Sequence, residues 1–102
     1  MKIMERHISK MRPDKWDELE RIEEQYDAIE RQWDFPLKRR YRALYGGYSR
    51  DIYITEREWE SMVVRETALG KAFASSEWHA LARDLNTVLE SLQIEIYQLI
   101  EG

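Results

Sequence analysis

Of the two histidines in the chain, His7 stands in the surroundings better suited to chemistry. An imidazole has an ordinary pKa of roughly 6.5, so it exchanges a proton near neutrality and can serve as a general base. Glu5 lies two positions away on a stretch that alternates like a strand, so the two side chains share a face and the carboxylate can orient the ring. Arg57 supplies the complementary function, a permanent positive charge able to stabilise negative charge developing on a bound oxygen. His7 and Arg57 are therefore the candidate catalytic residues. The plainer reading of His7 is a histidine hydrogen-bonded inside a dimer, and no nucleophile, base and orienting group stand at a recognisable catalytic spacing.

The candidate ligand-binding residues are Glu5, Tyr53, Trp59, Glu66 and Tyr97. Trp59 closes an alternating run and suits a pocket wall or a core anchor, while Trp78 opens an apolar helical stripe as an anchor. Glu66 sits between Met62 and Leu69 on an apparent apolar stripe. An isolated buried charge is very costly, so Glu66 is expected to pair with Arg57 or another arginine of the sheet. If Ile52, Ile54, Ile94 and Ile96 face the helices, the opposite face presents Tyr53, Thr55, Arg57, Trp59, Glu95 and Tyr97, joined by Glu5 and His7. His79 lies beside an apolar stripe without histidine or carboxylate partners at ligand spacing, so neither a metal site nor a cofactor is expected.

These side chains need a scaffold, and hydrophobic periodicity supplies it. Lys2 to Lys10 alternates as a strand. Asp14 is a plausible N-cap for a helix running to about Trp33, whose apolar residues Trp16, Leu19, Ile22, Tyr26, Ile29 and Trp33 recur in steps of three and four. Asp34 to Pro36 ends it, because proline removes an amide donor and disfavours helix in the residue before it. Arg39 to Trp59 reads as a hairpin turning around Gly46-Gly47. Met62, Leu69 and Phe73 then mark a short helix that Gly70 weakens, and Ser75-Ser76 separates it from a third. That third helix carries Trp78, Leu81, Ala82, Leu85, Val88, Leu89 and Leu92, and Gln93 to Ile100 closes the chain as a strand. The order predicts an α+β, ferredoxin-like βαββαβ domain spanning residues 1–102, its antiparallel sheet carrying helices on one face. The uncovered face calls for a second copy, giving a homodimer.

Composition sets the outer bounds. A chain of 102 residues with 43% hydrophobic content supports one folded core. The net charge of -4 argues against general affinity for nucleic acid. The basic run Lys38 to Arg42 is matched by the first helix, Asp14 to Asp34, which carries nine acidic and three basic residues, so the two can balance within or between subunits. The absence of cysteine removes disulfides, thiolate metal sites and cysteine nucleophiles, and suits a reducing compartment. No run approaches the roughly 20 apolar residues of a membrane span, and the first residues lack a signal-peptide core, so a cytoplasmic protein is expected.

The wording of the second half adds a family likeness. Glu56-Arg57-Glu58-Trp59-Glu60-Ser61, then Glu66, Lys71-Ala72-Phe73-Ala74-Ser75-Ser76-Glu77-Trp78 and Glu95-Ile96-Tyr97, resemble the NIPSNAP-like family. The resemblance implies the dimeric α+β barrel superfamily, which also holds cofactor-free oxygenases and haem-degrading enzymes. Set against the latter, Ala82 stands where their iron-binding histidine belongs and Ala72 where their tryptophan belongs, which speaks against haem chemistry. The resemblance thus implies a protein of undefined activity binding a small apolar ligand in a dimeric barrel. The alternatives are a cofactor-independent monooxygenase or related small-molecule enzyme, and a structural interaction module.

Overall fold

The computed structural model describes residues 1–46 and 50–100. Seven elements follow one another: β1 (Ile3–Met11), α1 (Trp16–Gln32), β2 (Lys38–Arg42), β3 (Ile52–Trp59), α2 (Met62–Phe73), α3 (Ser76–Val88) and β4 (Leu89–Gln98). The strands form one antiparallel sheet in the order β2-β3-β1-β4. This is the expected α+β, βαββαβ arrangement.

The core lies where α1 and α3 press on the sheet. Leu19, Ile22, Tyr26 and Ile29 of α1 meet Leu81 and Val88 of α3 over Met11, Tyr53 and Leu89. The three-and-four spacing read from the sequence for α1 is the stripe that is buried, so the amphipathic pattern alone directs this helix onto the sheet. Both of its ends differ in detail from expectation. Asp14 is not the N-cap: it takes a left-handed conformation (φ 60°) that turns the chain, and Lys15 occupies the cap position without a side-chain capping bond. At the other end Asp34 is also left-handed (φ 54°). Its amide donates to the Arg31 carbonyl (3.3 Å) and that of Phe35 to the Glu30 carbonyl (3.0 Å), which closes the helix after Gln32, ahead of Pro36.

Ser61 and Ser75 start α2 and α3 by accepting the amides of Val64 and Trp78, each at 3.1 Å. In α2 the expected stripe holds only at Leu69. Met62 and Phe73 point outward and Glu66 is exposed, whereas Arg65, Leu69 and Ala72 turn inward. The boundary between α3 and β4 also moves. Leu89, expected in the helix, is extended (φ -98°, ψ 139°) and pairs with Met11 beyond a register shift at Lys10/Met11. Its side chain stays in the core across this change, so apolar spacing could not mark the boundary. In the hairpin, Gly46 has φ 130°, a backbone conformation that favours glycine; its neighbour Gly47 lies outside the described residues.

Register fixes which side chains share a face. Glu5 stands opposite Arg57 and Ile96, His7 opposite Thr55 and Ile94, and Ser9 opposite Tyr53 and Leu92. Directly paired residues point to the same side of a sheet. Tyr53, Thr55, Arg57 and Trp59 therefore face the helices, opposite to expectation, and Ile52 and Ile54 face away. Tyr53 and Trp59 fill the space under the helices and each has a hydrogen-bonded partner there, while Ile52 is buried on the other side. For β4 the expectation is met, with Ile94 and Ile96 on the helix side and Glu95 and Tyr97 on the other.

Candidate functional site

Glu5 and His7 of β1 face the helices too, again opposite to expectation, so Glu5, His7, Tyr53, Arg57 and Trp59 stay together as read from the sequence but lie under the helices. They line a cavity of about 260 Å³ between sheet and helices, along with Phe35, Leu69, Trp78 and Leu85. Leu92 and Ile94, both half-exposed on edge strand β4, complete it and mark its open side. Two expected members are elsewhere. Tyr97 is on the helix-free face, bonded to Glu95 and under the guanidinium of Arg6, and Glu66 is on the outer surface of α2.

One end of the cavity is built around Glu5, which is only 7% exposed. Its Oε1 accepts Nε1 of Trp59 at 3.0 Å and Nε of Arg65 at 2.7 Å. Its Oε2 lies 2.6 Å from Nε2 of His7 and 3.4 Å from a terminal nitrogen of Arg65. Burial alone would raise the carboxyl pKa, but the hydrogen bonds and charges of His7 and Arg65 outweigh it and hold Glu5 at about 2. The cation that satisfies the buried carboxylate is thus Arg65, the immediate neighbour of the expected Glu66. Sequence reasoning missed it because Arg65 and Glu5 are 60 positions apart.

The other end is an ion-pair network between α1 and the sheet. Buried Glu23 accepts the Tyr53 hydroxyl at 2.7 Å and the ammonium of Lys38 at 3.0 Å. Arg40 donates to the Tyr53 hydroxyl and pairs with Glu20. Burial, then the negative charge of Glu23, pushes the Tyr53 phenol well above its ordinary value, so Tyr53 acts as a hydrogen-bond donor and not as a base. Arg57 pairs with Glu30 at 2.8 Å and not with Glu66, and its guanidinium lies over Phe35 and Trp59, 5.2 and 5.9 Å from their ring centres. Lys38 and Arg40 of the basic run are thus paired with the acidic face of α1 in the same chain, whereas Arg39 turns to Glu56 of β3 and Arg42 lies over Trp16.

Two other features were weighed. A hollow of about 460 Å³ beside the outer edge of Trp59 is lined by Trp33, Pro36, Val63, Val64, Glu58 and Lys71. It is larger than the inner cavity but more open, and of its charged residues Asp34, Glu60 and Lys71 are exposed to solvent. His79 contacts the Phe73 carbonyl at 2.9 Å, and among the described residues no three histidine or carboxylate groups gather as a metal site.

The architecture has solved counterparts. A NIPSNAP family protein from Agrobacterium tumefaciens matches over 98% of this chain and 87% of its own length, with a TM-score of 0.82 at 22% identity. An uncharacterised NIPSNAP-like domain protein from Burkholderia xenovorans matches over 97% and 85%, with a TM-score of 0.82 at 21% identity. The chain has the fold of NIPSNAP family proteins. An antibiotic biosynthesis monooxygenase shares it more distantly, over 97% of this chain and 99% of its own, with a TM-score of 0.71 at 10% identity. No protein-family model matches the sequence, and neither does any curated protein. The NIPSNAP-like wording from Asp51 to Tyr97 thus runs along β3, α2, α3 and β4, the elements that bound the cavity with α1 and β1.

Proposed function

We propose that this NIPSNAP-fold chain is a cytoplasmic, homodimeric small-molecule-binding protein whose ligand sits between sheet and helices. The observation that carries this reading is the cavity itself: an apolar space into which His7 and Arg57 converge, with their charged neighbours already paired. Its volume, at the low end for ligand pockets, suits a compact molecule on the order of ten to fifteen non-hydrogen atoms. Dimerisation is supported by the helix-free face, where Arg6 pairs with Glu56 at 2.8 Å while Tyr41 and Tyr97 are nearly half exposed. Among the described residues no helix covers this side, and a two-fold related copy would.

Binding is testable with the protein's own tryptophans, because Trp59 and Trp78 line the cavity. Titration with naphthol should change their fluorescence saturably, and Ala82→Phe, which fills the cavity from α3, should abolish the change while leaving circular dichroism intact. Saturable quenching that survives Ala82→Phe would contradict the assignment.

A second reading, a cofactor-independent oxygenase, is favoured by the short His7–Glu5 contact of 2.6 Å. An ionised carboxylate on an imidazole is the arrangement that orients a general base. In that case oxygen uptake with quinol-like substrates should fall by about two orders of magnitude in His7→Ala and Arg57→Ala. Uptake unchanged in both variants would remove these roles.

A further inference from the structure

The wall of the cavity constrains what it admits. Its cations are matched: Lys38 by Glu23 at 3.0 Å, Arg57 by Glu30 at 2.8 Å, and Arg65 behind the wall by Glu5 at 2.7 Å. An ionic ligand would lose its hydration without finding an unpaired opposite charge, which is a large cost. Apart from the exposed Asn86 amide, which both donates and accepts, the remaining directional group is the His7 ring. Ionised Glu5 has no proton to give, so the bond to His7 requires the hydrogen on Nε2. In the neutral ring this leaves Nδ1 as an acceptor, and it has no protein partner among the described residues. Ser9 and Thr55 on the same face carry hydroxyls, which donate or accept and so do not discriminate.

We propose that the cavity selects a neutral ligand bearing a hydrogen-bond donor, which binds Nδ1 of His7, and that Glu5 and Arg65 are positioning residues that set the ring's tautomer. This rests on the cavity being a ligand site. The device joins three elements: β1 carries the ring and its carboxylate, β3 contributes Trp59, and α2 delivers Arg65. Three donors converge on one carboxylate, so neither oxygen is free to rotate away from the imidazole.

The test compares three probes of one shape: naphthol, which has a donor; methoxynaphthalene, which has none; and naphthoate, which is charged. Naphthol should bind about tenfold tighter than either of the others, the effect of one directional hydrogen bond without an added charge. Equal binding of methoxynaphthalene, or tighter binding of naphthoate, overturns the proposal and leaves the ligand site standing. Failure of all three to bind overturns the ligand site and the proposal with it. An independent readout needs no ligand. The imidazole nitrogen shifts of His7 by NMR, at about pH 9 where an ordinary imidazole is neutral, should report hydrogen on Nε2. Hydrogen on Nδ1 or an even mixture overturns the proposal whatever the cavity binds. Arg65→Met and Glu5→Gln should mix the tautomers and bring the naphthol preference to within about threefold, and Arg65→Lys should restore both. A tautomer unmoved in folded Arg65→Met contradicts the positioning role of Arg65.

Discussion

At the scale of residues, Glu5 organises the site, and its acidity makes a direct prediction. Its folded-state pKa of about 2 lies below the ordinary 4.5. The stability this contributes, about 3 kcal/mol, is fully present above the ordinary value and is lost as pH falls through the folded one. Denaturant unfolding between about pH 5 and pH 2 should show this loss, and Glu5→Gln should flatten that part of the profile while lowering stability near neutrality. A second prediction separates neighbours. Arg65→Met should cost about 3 kcal/mol because it leaves a buried carboxylate unpaired, whereas Glu66→Ala on the exposed side should stay within about 0.5 kcal/mol. The sequence offered both residues. It could identify a carboxylate or guanidinium on a weakly periodic helix, but not the buried partner on β1 that decides which one turns inward.

At the scale of elements, legibility followed the strength of the pattern. The six apolar positions of α1 recur without interruption, and that helix lies where they put it. In α2, Met62, Leu69 and Phe73 made a sparse stripe, and the inward face is set by Arg65, Leu69 and Ala72 instead. For β3 both faces are plausible by alternation, since isoleucines stand on one and aromatics on the other. Packing under α1 selected the aromatics, because Tyr53 meets Glu23 and Arg40 there while Trp59 meets Glu5. The candidate residues consequently share a face, though not the one read from the sequence, and Tyr97 falls outside the group. The end of α1 provides the element-scale prediction. Asp34 is exposed and left-handed, a conformation glycine takes without steric cost. Asp34→Gly should therefore raise stability by about 0.5–1 kcal/mol in thermal or denaturant unfolding.

At the scale of the whole molecule, the sheet has one side committed to the helices and one that the proposed second copy would cover. Light scattering at micromolar concentration should give twice the chain mass. Tyr97→Glu, which sets a second carboxylate beside Glu95 in each subunit, should weaken association at least roughly tenfold. A monomer in the unmodified chain would remove the role given to the open face. The covered side holds the cavity, and the question of function turns on whether a small molecule enters it. The most direct measurement is a methyl-resolved NMR titration with naphthol. Shifts concentrated on Leu69, Leu85, Leu92 and Ile94, with Val63 and Val64 of the outer hollow unmoved, are the predicted result. Shifts centred on Val63 and Val64, or no saturable shifts, would contradict a ligand site between sheet and helices.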